Sequence, residues 1–470
     1  MSGGPSKETK IGSAISDTSH LLAESWVEII RNFLIVSLIG SMVWFFCSVL
    51  RFTIEHSTDF LFEQFHHHAH HIWSTGSLIL IAALIVSGVV RGWMLKYDYW
   101  QDAAGDGAAT SIEYFHKTYT GHHDDSIVDV RYKQSTVGAA VRRVIITFLT
   151  VGFGGSGGIE GPVIPIGEHI GAGWSKLFRV KNRHDLRVFQ MAGIAAAIST
   201  LLNAPFAAAL FAGEVVFAER LVYRTLLYSM IAAICAYTLN NHLLHFQPLF
   251  SIAAHAHVYA PREYLEVSLV AILCSAPAAL GINSVLMLLR KFMTLFNVTI
   301  RALIGAFFIG AIAFIMWFGL HIAPEHILGV SEGTLQTLIN GSNQALFNIW
   351  WILFLLAFAK LLTMGFTYAA GGSVGLLIPA MYIGGVIGAA IYHVMPLLHI
   401  PVFSMNPSLF IIAGIASALV AVIEIPLATI AFVMEVFGAK FAAPAIVSVV
   451  ICHLLAKRFK LYVAPPRQRR

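Results

Sequence analysis

The residue most able to do chemistry is a lone carboxylate among glycines, Glu160, in the run Gly154-Gly155-Ser156-Gly157-Gly158-Ile159-Glu160-Gly161-Pro162. Proline is tolerated in the first turn of a helix, and glycine lets backbone approach a ligand, so the run reads as a loop that turns into a helix at Pro162. A helix start presents unpaired N–H groups and a positive dipole end. Inside a membrane these must be satisfied by an anion, a water or a side chain. Glu160 is itself an anion of the right sign and can occupy such a site. Protonation would release the site to a diffusible anion, making Glu160 a gate and a proton acceptor at once. The alternative is an ionised carboxylate that only caps its helix.

The loop has a counterpart. Gly371-Gly372-Ser373-Val374-Gly375-Leu376-Leu377-Ile378-Pro379 matches it at a shift of 217, and the match continues through Ile166-Gly167 with Ile383-Gly384 and Ile170-Gly171 with Ile387-Gly388. A second stretch, AGIAAAISTLLNAPFAAALFAGEVVF from Ala192, aligns at a shift of 221 with AGIASALVAVIEIPLATIAFVMEVFG from Ala413. That pairs Pro205 with Pro426, Phe211 with Phe432 and Glu214 with Glu435. Gly/Pro-interrupted apolar segments at corresponding places in two halves point to a transporter whose site lies where the halves meet. Two half-helices would then converge on one anion. A bare anion in hydrocarbon costs on the order of tens of kcal/mol, and one helix end supplies only about 0.3 to 2 kcal/mol, so several donors and retained water are required.

The elements that must hold these loops are membrane helices. Charged residues make up 12% of the 470, about half the usual ~25% of a soluble domain, and hydrophobic residues 57%. Mean hydropathy is +0.74. The apolar residues fall in long charge-free runs of spanning length: Phe33 to Leu50, Ile72 to Val90, Val144 to Ile159, Val188 to Gly213, Thr225 to Asn241, Val267 to Leu289, Ala302 to Leu320, Ala345 to Ala359 and Phe441 to Ala456. From Leu361 to Ile423 there is no Asp, Glu, Lys or Arg, but Gly and Pro punctuate the stretch, which predicts several broken helices. Ten or more spans are expected. Residues 1–28 read as a cytoplasmic N-terminal segment without a secretory signal, 29–456 as the membrane domain and 457–470 as a basic tail that the positive-inside rule puts in the cytoplasm. The repeats run over about 29–241 and 263–456, and no regulatory domain is expected. Cys47, Cys235, Cys274 and Cys452 all lie in apolar runs and read as packing residues. The net charge of +5, with no basic block interleaved with aromatics, argues against nucleic acid.

Other readings were weighed. His66, His67, His68, His70 and His71 cluster before the second span. They could bind metal, but with no carboxylate or thiol set beside them they read as a surface loop. An embedded enzyme would have only His169 near Glu168, and His393 with His399, as raw material. A cation or metal transporter could be built on Asp106, Glu160, Glu168 and the histidines, although helix N-termini aimed at the site disfavour cations.

GGSGGIEGP with the following IPIGEHIG, GGSVGLLIP with the following YIGGVIG, NAPFAAALFAGE and a C-terminal KLYV resemble the CLC family of chloride channels and proton/chloride exchangers, over about Gly105 to Tyr462. The resemblance implies an all-α polytopic membrane protein of two inverted repeats with broken, tilted helices. It further implies a homodimer in the lipid bilayer with an anion path in each subunit, and chloride as substrate without a cofactor. A prokaryotic cell membrane is the expected location. By position, Glu160 falls on the family's gating glutamate, with Gly158 and Gly161 as flanking backbone donors. Leu376 and Leu377 fall where N–H groups meet the central anion, and Tyr462 falls on the tyrosine whose hydroxyl lines that site; an interfacial belt tyrosine is the alternative.

Three departures bear on mechanism. The first anion motif is represented by Gly105-Asp106-Gly107, so Asp106 stands where a serine hydroxyl normally donates. It is protonated, turned away, replaced by backbone N–H groups, or a helix cap. Ile159 precedes the gate where many relatives have Arg or Lys. Val215 occupies the position of the exchangers' inner proton glutamate, with Glu214 one residue early and Glu168 as another intramembrane acid. Val215 carries no proton, which favours passive, gated anion conduction over proton-coupled exchange.

Overall fold

Ser25 and Glu28 form a capping box, each side chain bonded to the other's backbone N–H at 3.3 and 3.2 Å, and start a helix of 43 residues, α1 (Trp26–His68). At 1.5 Å per residue α1 is about 64 Å long, twice a ~30 Å bilayer core, so it must tilt or project. The computed structural model describes residues 25–459 except 70, 72, 110, 113–135, 181–182, 218–221, 246–249, 251, 253–258, 342–344 and 405–406.

After α1 come α2 (Thr75–Met94), α3 (Thr136–Thr147), α4 (Glu160–Leu177), α5 (Arg183–Leu202), α6 (Pro205–Phe217) and α7 (Tyr223–Leu244). The second half holds α8 (Pro261–Met293), α9 (Val298–Leu320), α10 (Glu332–Ile339), α11 (Trp350–Ala369), α12 (Leu377–Leu397), α13 (Ser408–Ile423), α14 (Pro426–Phe432) and α15 (Ala442–Phe459). Among the described residues, eight helices are long and apolar enough to cross a membrane, and three further apolar segments, Pro205–Val216, Ser408–Ile423 and Pro426–Phe437, are shorter. This is a multi-pass integral membrane protein. The run Val188 to Gly213 is not one span. The chain breaks at Asn203, in the left-handed region at φ +53, and again at Glu424, φ +63, which occupies the equivalent place in the second half. Pro205 and Pro426 then start the next helices. Likewise Val144 to Ile159 divides: α3 ends at Thr147, a π-turn covers Phe148–Gly152, and a loop leads to α4.

The two halves repeat each other's packing bond for bond. In the first half α4 lies so tightly on α5 that a Cβ on Gly167 would overlap the Gly193 carbonyl, and one on Gly171 the Phe189 carbonyl. In the second, Gly384 meets the Gly414 carbonyl and Gly388 the Phe410 carbonyl, at the shifts of 217 and 221 seen in the sequence. The contacts between halves are reciprocal. Ser156 N–H donates to Thr367 Oγ1 (3.0 Å) and Ser373 N–H to Thr150 Oγ1 (3.1 Å). Glu214 accepts from the N–H groups of Leu427 and Ala428 at the start of α14 (2.9 and 2.7 Å). Glu435 accepts from those of Phe206 and Ala207 at the start of α6 (3.0 and 2.7 Å). Such exchange is the signature of a two-fold relation, and each acid satisfies two of the orphan donors that any helix start exposes.

Candidate functional site

The two Gly-Gly-Ser loops meet at the centre of this arrangement. Gly158 N–H donates to the Gly375 carbonyl (3.1 Å) and Gly375 N–H to the Gly158 carbonyl (2.7 Å), an antiparallel bridge between the halves. Gly158 therefore spends its N–H on the scaffold, which corrects the expectation that it faces an anion. Its contribution is shape, because a Cβ there would overlap the Glu160 carboxylate. A third strand of backbone steadies the first loop: Gly157 N–H donates to the Gly329 carbonyl (3.1 Å), and Gly329 N–H to that of Gly155 (3.0 Å).

Two carboxylates reach the start of α12. Glu160, 1% exposed, turns its side chain towards its own N–H and that of Ile378, although neither oxygen makes an aligned hydrogen bond among the described residues. Asp106 lies beside it, turned towards the N–H groups of Leu376 and Ala109. It lies so close to Gly161 that a Cβ would overlap it. Asp106, Gly107, Gly161, Leu376 and Leu377 are thus brought together with Glu160. Tyr462 and the tail from residue 460 lie outside the described residues.

Sequence reasoning missed two buried cations at this site. Arg143 of α3 donates through Nη1 to the carbonyls of Ala103 (3.0 Å), Ala104 (3.2 Å) and Gly105 (3.0 Å) and to Ser373 Oγ (3.3 Å), and through Nη2 to the Asp102 carbonyl (2.7 Å). It fixes the loop that carries Asp106, and its charge faces Asp106. Lys360 of α11 is 0% exposed. Its ammonium donates to the Gly329 carbonyl (2.8 Å) and Ser331 Oγ (2.9 Å), with longer contacts to Ile327 and Val330 carbonyls (both 3.4 Å), and interacts electrostatically with Glu160 and Glu332. Glu332 pairs with Arg51 of α1 (3.7 Å), which also holds Glu55 (2.5 Å). Burial pushes the Glu332 carboxyl above the usual range, with Arg51 opposing. The sequence signal was a lone lysine inside an apolar helix, and such residues are functional by default.

The site opens into a cavity of about 420 Å³, lined among others by both acids and by Val215, Tyr368, Leu377 and Arg290. The Arg290 guanidinium stands 5.2 Å from the centre of the Tyr368 ring. Val215 is buried against this cavity, whereas neighbouring Glu214 is directed to α14. Glu168 is buried on α4, two turns beyond Glu160. His66, His67 and His68 form the last turn of α1 rather than a loop, and a carboxylate does accompany them: Glu325 lies 2.9 Å from His66 Nε2. His326, beside Glu325, bonds Thr334 (2.9 Å), and burial lowers its pKa. Among the described residues no group of three His, Cys, Asp or Glu is placed to hold a metal ion.

Comparison with known proteins gives a consistent picture. A family model described as voltage gated chloride channel matches residues 79–457. The chain is 26% identical over 324 residues to an uncharacterized protein of Methanocaldococcus jannaschii, covering 67% of this chain and 74% of that one. It is 25% identical over 314 residues to a chloride/fluoride channel protein of Pseudomonas syringae pv. tomato, covering 66% and 65%. The crystal structure of a slow cyanobacterial Cl-/H+ antiporter superposes with a TM-score of 0.73 at 18% identity, over 91% of this chain and 95% of that one.

Proposed function

The chain belongs to the CLC, or voltage-gated chloride channel, family, and on that premise we propose that it conducts chloride or a similar small anion passively through each subunit, with Glu160 as the gate. The family's activity is transport, not enzymatic catalysis. The observation that carries the proposal is the buried Glu160 carboxylate aimed at the Ile378 N–H, at a helix start that also borders a mainly apolar cavity. An ionised Glu160 occupies the place of an anion. When protonated it loses that attraction, and the donors it faces, its own N–H and that of Ile378, become available. Lys360 offsets the electrostatic cost of an anion there.

Passive conduction is supported by Val215 at the cavity wall and by the commitment of Glu214 to the α14 backbone, which leaves no carboxylate at the position where family exchangers relay a proton. Proton-coupled exchange is the second reading. Glu168, buried on the same helix as Glu160 at a rise of about 12 Å, is the observation that favours it. A homodimer in a cell membrane with a cytoplasmic basic tail completes the proposal.

The test is anion efflux from liposomes holding the purified protein, with chloride and then fluoride, compared with Glu160→Ala. Faster efflux in the variant at neutral pH is expected. Absence of anion efflux from both proteins would overturn the proposal and turn attention to cations.

A further inference from the structure

The gate accounts for one of the two acids at the start of α12 and leaves the other unexplained. Asp106 faces the Leu376 N–H, lies against Gly161 at the start of α4 and lines the same cavity as Glu160. The site has a buried, aimed acid besides its helix start, since Glu160 is 1% exposed and its oxygens make no aligned bond among the described residues. It also has an unusual charge balance. Arg143 spends its guanidinium protons on neutral carbonyls and a hydroxyl, and the charge that chiefly balances it is Asp106, with Asp102 second.

We infer that Asp106 is a second tethered anion, in the cavity it shares with Glu160, which competes with diffusible anions for the helix-start donors there. The inference rests on the anion conduction proposed above. Two carboxylates then stand in one cavity, and an anion crosses only when both are displaced or neutralised. A serine at this place would donate to a passing anion, whereas an ionised aspartate only accepts and adds a repelling charge. Neutralising it removes that charge and leaves the Arg143 charge to be balanced by the anion itself. The charged or titratable groups facing Asp106 are Arg143 on α3, Asp102 on its own segment, and Tyr368 on α11 with Arg290 of α8 over its ring. Glu160 lines the same cavity.

The experiment is chloride binding by isothermal titration calorimetry and chloride efflux from liposomes, from pH 7.5 to pH 4.5. It compares Glu160→Ala, which removes the gate's own titration, with Glu160→Ala/Asp106→Asn and Glu160→Ala/Asp106→Ser. Neutralising Asp106 is expected to raise chloride affinity about tenfold at pH 7.5. It is also expected to abolish the rise in efflux that Glu160→Ala shows as the pH falls. Unchanged or weaker chloride binding in a folded double variant means that Asp106 only caps the turn after Gly107, which overturns this inference and leaves the gate standing. Should neither double variant fold, efflux from Glu160→Ala that does not change with pH overturns it equally. No chloride binding or efflux in any protein overturns the proposed function as well.

Discussion

Lys360 is the residue whose removal separates electrostatics from packing most clearly. A fully buried ammonium is tolerated only when hydrogen-bonded and balanced; here three carbonyls and a hydroxyl bond it, and Glu160 and Glu332 balance it. Lys360→Met takes away a positive charge felt at the anion site and leaves the Gly329 carbonyl with one donor fewer. Anion efflux in liposomes should fall about tenfold, the equivalent of ~1.4 kcal/mol in barrier, and Lys360→Met should lose the same factor in the Glu160→Ala background. An unchanged rate would show that Lys360 serves only the loop. Neither Lys360 nor Arg143 was read as a site residue: Lys360 is a lone lysine between two apolar runs, a signal passed over, and Arg143 stands in an Arg-Arg pair that reads as a helix end. Their partners are carbonyls from distant loops, which no local pattern announces.

At the scale of elements, Glu214 and Glu435 hold the two repeats together by capping each other's helices. Each accepts two backbone hydrogen bonds, and bonds to a charged group contribute roughly 1.5 to 3 kcal/mol. Glu214→Gln and Glu435→Gln should each destabilise the protein by about that much in denaturant unfolding. Anion efflux by the folded fraction of Glu214→Gln should be unchanged in its dependence on a proton gradient; an altered dependence would make Glu214 part of a proton route. The helix pairs give a second expectation. Gly167→Ala and Gly384→Ala each force a methyl into a backbone carbonyl, and overpacking of this kind costs about 1 to 3 kcal/mol, so both should lower the unfolding midpoint alike. The repeat was readable because these glycines, Pro205 and Pro426, and the acids recur at fixed shifts. The break at Asn203 was not read, although Asn203 and Pro205 interrupt the run Val188 to Gly213, because the left-handed turn there and at Glu424 is visible only in the backbone.

For the whole molecule, two repeats joined by reciprocal bonds explain why a chain of 12% charged residues can build a charged centre: the acids and cations converge from α1, α3, α4, α10 and α11 while apolar faces turn outward. The exposed apolar side chains of matched helices, Phe206 at 45% on α6 and Leu427 at 47% on α14, suit a symmetric contact with a second copy. Light scattering of the detergent-solubilised protein should therefore give a dimer, and a monomer would contradict that expectation. The central claim is that Glu160 gates an anion path with no proton relay behind it, since Val215 lines the cavity beside Glu160 and Glu214 is held by α14. Its most direct test is to impose a chloride gradient across liposomes holding the wild-type protein and record the pH outside. The account predicts chloride movement with no net proton transport against a gradient. Protons driven uphill by chloride would contradict it and mark the protein as an exchanger.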